Sequence, residues 1–218
     1  MALQAGPPLR WERRHILNEE NSTMLAGCHV DRPGDVLTID WSLRHAQSSV
    51  WKHLTDPKRL PEWLGHPTKF EAQTAGEIIV DHGDGYLCRS EVLSVSHDHD
   101  VSHTSGVELS WEFPDEPTSR LSLRMFDTDS GDDDGIGHTP GTGLVLQHCG
   151  LGSLIDSYLA GWLTHLTYFE ASLGATPLPP GQFWALCATF EQLRASPGDG
   201  GLPRLQTDPF ARPSGFDH

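Results

Sequence analysis

Thirteen histidines and thirty carboxylates in 218 residues prompt a search for acid–base or metal chemistry. In SHDHDVSH, residues 96–103, His97 and His99 share a strand face and His103 can meet them across a hairpin. Imidazoles so arranged suit zinc, nickel or copper, yet a histidine-rich chain gathers such clusters in exposed loops without a metal, and none is expected. GDDDG, residues 131–135, lacks the alternating ligands and distal Glu of a calcium loop and reads as a solvated acidic hairpin. The general acid–base candidates are Asp40, His148 and His165. His148 alternates with Leu144 and Leu146, so it points inward. A lone inward histidine is more often a hydrogen-bonded core residue than a catalyst. There is no nucleophile elbow, Walker loop or HExxH. No catalytic residue, cofactor or metal is therefore assigned.

What the chain does concentrate is aromatic surface. Two of its seven tryptophans fall in VWKHLTDPKRLPEWLG, residues 50–65. Others stand on segments that must be positioned by strands and a helix. DVLTIDWSLRH, residues 35–45, alternates, with Leu37, Ile39, Trp41 and Leu43 on one face. The stretch after it reads as two short helices. The first is capped by Ser48 or Ser49 and broken at Asp56-Pro57; the second opens on Pro57 and ends at Gly65. From residue 69 to 149, six turn-separated segments alternate in the same way. Val107, Leu109, Trp111 and Phe113 share one face, as do Leu121, Leu123 and Met125. That pattern predicts an antiparallel sheet with one buried face.

The period then changes. Ile155, Tyr158, Leu159, Trp162, Leu166, Phe169 and Leu173 recur at helical spacing, with Ser153 as cap and Gly174 as stop. This long amphipathic helix has the stripe needed to cover the sheet. After TPLPPG comes a last helix with Phe183, Leu186, Cys187, Phe190 and Leu193 as its stripe. Residues 1–34 show no clear periodicity, and the tail after it is rich in Gly and Pro.

Composition bounds the rest. The length supports one well-buried core. A net charge of −15 disfavours nucleic acid and anionic membrane as partners. No apolar run is long enough to span a bilayer, and the N-terminus lacks the apolar core of a secretory signal, so a cytoplasmic location is expected. Cys28, Cys88, Cys149 and Cys187 are scattered and read as reduced thiols.

In this order the motifs resemble the SRPBCC, or START-like, helix-grip superfamily. Within it they look most like domains homologous to the activator of the ninety-kilodalton heat-shock protein ATPase. The carriers are SSVWKHLTDPKRLPEWLG, LSWEF, GTGLVLQHCGL (with Gly143 interrupting it) and YLAGWLTHLTYFEASL, spread over residues 36–174. The loop SVSHDHDVSHTSG and the excursion at 128–141 are longer than the family pattern. The resemblance implies an α+β fold, a curved antiparallel sheet wrapped around the long helix. Residues 1–35 would be an extension, and 175–218 a linker, extra helix and tail. It also implies a cavity between sheet and helix, with Trp41, Trp63, Trp111, Met125, Leu146, His148, Tyr158 and Trp162 as candidate lining. Gly161 would make room there for a ligand or a close backbone. Trp51 is expected to anchor its helix to the sheet, and Trp63 to stand at the cavity mouth.

The expected function is non-catalytic binding of a hydrophobic small molecule. The alternative is a co-chaperone-like module that binds a protein or a second copy of itself, and a cyclase or aromatase is the third reading. A filled core with an exposed apolar patch favours the second; an inward histidine paired with a carboxylate favours the third.

Overall fold

The structure is a computed structural model and describes residues 25–98, 104–128 and 141–195. Eight strands are β1 Leu25–Asp31, β2 Val36–Leu43, β3 His66–Phe70, β4 Glu77–Asp81, β5 Leu87–Asp98, β6 Thr104–Trp111, β7 Ser119–Thr128 and β8 Gly141–Cys149. They form one antiparallel sheet in the order β1-β2-β8-β7-β6-β5-β4-β3. Three helices are α1 Gln47–Thr55, α2 Ile155–Leu173 and α3 Phe183–Ala195. The fold is thus α+β, with a large antiparallel sheet and a long helix toward the C-terminus. No described helix is long and apolar enough to cross a membrane.

The alternation seen in the sequence becomes rows of buried side chains across the strands. Leu37, His148, Leu121 and Leu109 stand side by side in one row. Ile39, Leu146 and Leu123 form the next, and Trp41, Leu144, Met125 and Ser105 the one beyond. All eleven are buried, while their strand neighbours Asp40, Ser42, Arg120 and Arg124 face solvent. β5 pairs with β4 through its first half and with β6 through its second, and its register with β6 shifts at a bulge between Val92 and Ser94. α2 lies on the buried face, with Ile155, Leu159, Trp162, Leu166 and Phe169 turned into the core. Gly143, which interrupts the apolar run of β8, sits under the Phe126 ring of the adjacent strand, where a Cβ would collide with it.

Four expectations need correction. Residues 1–34 contain an element after all: β1, an edge strand paired with β2. Its sequence, LAGCHVD, lacks an alternating apolar set and contains Ala and Gly, which are poor strand formers. The two short segments therefore lie between the second and third strands. The second is only a 3-10 turn, Leu60–Glu62. Pro61 has no N–H to donate back to Pro57, and its ring clashes with that carbonyl, so an α-helix cannot continue. The N–H groups of Trp63, Leu64 and Gly65 all converge on the Leu60 carbonyl instead, at 3.1, 2.8 and 3.0 Å. The serine caps are also absent. α1 begins after Ala46 and α2 after Leu154, neither with a side-chain cap, and Ser153 belongs to a 3-10 turn, Gly152–Leu154, that leads into α2.

The last helix packs on the home domain. Phe183, Leu186 and Phe190 are partly buried against the core, and Cys187 is buried. Arg194 and Arg32 both reach Asp156 in the first turn of α2, at 2.5 and 2.7 Å. The N-terminal residues 1–24, His99, His103, the acidic hairpin 131–135 and the tail from 196 lie outside the described residues.

Gly161 does not admit a close backbone: a Cβ there would have no neighbour within 4 Å. Gly161→Ala should therefore raise stability by about 0.5–1 kcal/mol, the helix-interior cost of glycine. Urea unfolding of the variant checks this, and a lower midpoint would mean that the position is sterically constrained.

Candidate functional site

At one end of the buried face, β6, β7 and β8 bring Trp111, Ser119 and His148 together, and α2 lays Tyr158, Trp162 and His165 across them. The spacing i, i+4, i+7 puts these three on one helix face. Ring centroids lie 5.2 Å apart for Trp111 and Trp162, 6.0 Å for Trp111 and His148, 4.9 Å for His148 and Tyr158, and 5.9 Å for His148 and Trp162. Four of the eight candidate residues thus form one cluster. Leu146 is one row away. Trp41 and Met125 share a row four residues along the strands from His148, roughly 13 Å at the usual strand rise. There Trp41 Nε1 donates to Glu170 of α2 at 2.7 Å, and Gln47 Nε2 donates to the Met125 carbonyl at 3.0 Å. The structure therefore divides the candidate lining between two ends of one layer.

The hydrogen bonds fix the state of His148. An indole N–H can only donate, so Trp162 Nε1, 2.9 Å away, makes His148 Nδ1 an acceptor. In the neutral ring the proton then sits on Nε2 and is donated to Ser119 Oγ at 2.8 Å. Ser119 passes its own proton to the Trp111 carbonyl at 3.2 Å. The chain is directional and complete, and burial pushes the His148 pKa down to about 3. Both ring nitrogens are occupied and neither partner is a carboxylate, so His148 serves here as a core histidine. Asp40, the other sequence candidate on a strand, faces outward.

Sequence reading missed His82, in the turn after β4. Its ring lies 6.0 Å from Trp111 and 5.9 Å from His165, closing a circuit with the Trp111–Trp162 contact and the 5.6 Å approach of Trp162 to His165. Phe113 and Phe183 flank it at 5.1 Å from His82 and 4.6 Å from His165. Burial, then the neighbouring His165, holds the His82 pKa at about 3, against the pull of Asp81. Burial holds His165 at about 4 even though its Nδ1 bonds the Trp63 carbonyl at 2.7 Å. A histidine before Gly-Asp-Gly looks like turn chemistry in the sequence, and nothing local marks it as inward. Glu116, also unforeseen, accepts from the Tyr158 hydroxyl; burial and then that carboxylate push the phenol's pKa up.

Some buried polar atoms find no partner among the described residues. They are Trp63 Nε1, His82 Nε2 and Trp111 Nε1 at the histidine end and Gln47 Oε1 at the other. The Trp111 nitrogen lies close enough to Tyr158 to lower that phenol's pKa slightly, against the larger upward effects. Trp63 is 5% exposed and meets Phe169 edge to face at 4.9 Å, so it stands deeper than a mouth residue. Trp51 stacks flat on His97 of β5 at 4.6 Å and does tie α1 to the sheet.

The short elements are held to α2 at one point. Ser172 donates to Glu62, the last residue of the 3-10 turn, and meets His53 Nε2 of α1 at 2.6 Å. The serine hydrogen bond, then Arg59, keeps the Glu62 carboxyl below its usual range, while burial lowers His53. Elsewhere, a groove of about 340 Å³ lies on the outer sheet face between Ser94, Glu108, Arg120, Arg124 and Gln147. Its polar walls do not suit an apolar molecule.

The chain is similar in structure to CalU16 from Micromonospora echinospora, at 20% identity over 79% of this chain and 96% of that one, with a TM-score of 0.53. It is similar to a protein from Bordetella parapertussis at 19% identity over 81% and 93%, TM-score 0.52. DynU16, a protein of the dynemicin biosynthetic locus, matches at 24% identity over 66% of this chain, which spans about half of it (49%), TM-score 0.50. The neighbours CalU16 and DynU16 are SRPBCC-like helix-grip proteins. The likeness is one of fold. No family model matches the sequence, and no curated protein is similar to it.

Two predictions follow from the ring nitrogens. Ser119→Ala strands the His148 Nε2–H in the core and should cost about 1–3 kcal/mol by urea unfolding at pH 7; a cost under about 0.5 kcal/mol would refute the proton chain. Separately, His82, His148 and His165 hold pKa values of about 3, 3 and 4 in the fold against 6.5 unfolded. Between those values the unfolded chain binds more protons. Their contribution is full above pH 6.5 and is lost as pH falls toward 4. Each should add a slope of about 1.4 kcal/mol per pH unit in that window. Urea midpoints from pH 7.5 to 4.5 test this, and a flat profile would mean the rings titrate in the fold as they do in the unfolded chain.

Proposed function

We propose that this protein binds a hydrophobic small molecule between the inner face of the sheet and α2, without transforming it. The observation that carries the reading is the set of buried polar atoms left unpaired at the two ends of that layer. Trp63 Nε1 and His82 Nε2 lie at one end and Gln47 Oε1 at the other. Folded chains pair nearly all such atoms, so a core that leaves several open is short of a component. Between them the layer consists of buried apolar side chains and rings, among them Leu146, Met125, Trp111 and Trp162. That is the composition of a site for an apolar molecule with a few polar contacts. The SRPBCC-like fold of its structural neighbours supports the same reading. The finer placement, as a domain of the heat-shock-ATPase-activator type, rests on the four sequence motifs. No nucleic acid, membrane, cofactor or metal enters the proposal.

A second reading, a module that binds a protein or a second copy of the chain, has one observation in its favour. α3 exposes Trp184 and Leu193, 50% and 48% accessible.

Native mass spectrometry of the protein from its own host, compared with the denatured mass, tests both. The expected result is a small mass that is lost on denaturation. A doubled mass, or a clean monomer that no apolar compound shifts when added, would sink the first reading.

A further inference from the structure

We infer that the groove on the outer face of the sheet is a second binding site, for a small hydroxylated carboxylate held by Arg124. The groove lies on the side of the sheet opposite α2. It neither rests on the interior reading above nor falls with it.

The register of four strands builds the groove. Gln147, Ser122, Glu108 and Ser94 stand side by side in one outward row across β8, β7, β6 and β5. The next row carries Arg124, Gly106 and Ser96, and the row on the other side carries Arg120. Small side chains make the floor and the two arginines flank it, leaving a volume of about 340 Å³, within the size range of small-molecule clefts. Both arginines lean from β7 toward β6. Arg120 Nη1 reaches Glu108 Oε1 at 3.2 Å. The Arg124 stem lies over Gly106, where an added Cβ would come within 3.3 Å of Arg124 Cγ and 3.0 Å of the Leu123 carbonyl oxygen. Glycine at 106 thus keeps the floor low enough for Arg124 to cross it.

Charge selects the ligand first. Among the described residues, the charged groups of the lining are two arginines and one glutamate. Arg120 and Glu108 neutralise one another, so one positive charge remains, in a chain of net charge −15. It belongs to Arg124, which is exposed and makes no ion pair or hydrogen bond among the described residues. Its planar fork matches the two oxygens of a carboxylate. A phosphate monoester would bring a second negative charge against Glu108.

Hydrogen-bonding capacity selects the rest of the molecule. The side chains of Ser94, Ser96, Ser122 and Gln147 make no hydrogen bond among the described residues. Hydroxyl and carboxamide groups both donate and accept, and the hydroxyls of a polyol complement them. Apart from Val107, no aliphatic side chain lines the groove among the described residues, so the hydrocarbon body of a fatty or aromatic acid would find little to pack on.

The test is an amide NMR titration of the full chain at pH 7 and low salt with gluconate, glucitol and hexanoate. The expected result is saturable shifts with gluconate at the amides of Ser94, Gly106, Ser122 and Arg124. Glucitol, which lacks the charge, and hexanoate, which lacks the hydroxyls, should each bind about tenfold more weakly, the worth of one charged hydrogen bond. Arg124→Gln should weaken gluconate about tenfold. Ser122→Leu, which fills the floor, is the second variant should the first disturb the fold, with thermal melts reporting the fold of each. Glucitol binding as well as gluconate overturns the role of Arg124, and so does an Arg124→Gln variant of unchanged affinity. Hexanoate binding as well as gluconate leaves only a patch that attracts any anion and overturns the hydroxylated class. Shifts that fail to saturate, or that fall outside these strands, overturn the site, while the interior reading stands.

Discussion

The hydrogen bond from Trp162 to His148 fixes how the long helix sits on the sheet. An indole N–H has no second role, so the bond orders everything downstream of it: the histidine tautomer, the serine hydroxyl and the strand carbonyl at Trp111. It also sets the rotation of α2 about its own axis. With Trp162 turned toward His148, residues one turn away on either side, Tyr158 and His165, are brought to the same face. Tyr158 then reaches Glu116 and His165 reaches the Trp63 carbonyl. The helix is thus registered against the sheet by polar contacts placed inside an apolar layer, where they are worth more and where leaving them unmade is costly.

The same logic explains how two very short elements stay in place. The turn at Leu60–Glu62 and helix α1 are too brief to be stable by themselves. They are tied to α2 near its C-terminal end by Ser172, which joins Glu62 and His53, and to the sheet by Val50, Leu54 and Leu60 in the core. At the opposite corner Asp156 collects Arg32 from the β1–β2 hairpin and Arg194 from α3. Those ion pairs are solvent-exposed and individually weak. The buried serine contact and the apolar residues bear more of the attachment.

Much of this was legible in the sequence because it is periodic. Alternation in β2, β6, β7 and β8 and the stripe on α2 are direct images of one buried face, and they survive in the rows Leu37–His148–Leu121 and Ile39–Leu146–Leu123. The inward direction of His148 followed from the same alternation. What failed was not periodic. β1 pairs along an edge and has no apolar face to announce it. The second short helix was lost to Pro61, a residue whose effect depends on the carbonyl four positions earlier. Of the eight candidate lining residues seven are buried and Tyr158 is partly buried, but they are split between two ends of the layer: Trp41 and Trp111 are both inward, yet sequence spacing carries no information on which row of a sheet a residue joins. His82 was out of reach altogether, since a turn residue has no alternation to reveal its direction.

His148 and His82 are a useful contrast. Both are buried imidazoles against Trp111, both are held neutral, and a pKa alone would not tell them apart. The difference lies in their partners. Every nitrogen of His148 is bonded to protein, so the ring completes a structure. His82 Nε2 has no partner among the described residues, on a turn rather than on a central strand. A fold gains nothing from burying an imidazole nitrogen without a partner, because a phenylalanine would fill similar space without the desolvation cost. The unpaired nitrogens therefore mark where this interior differs from a packing solution.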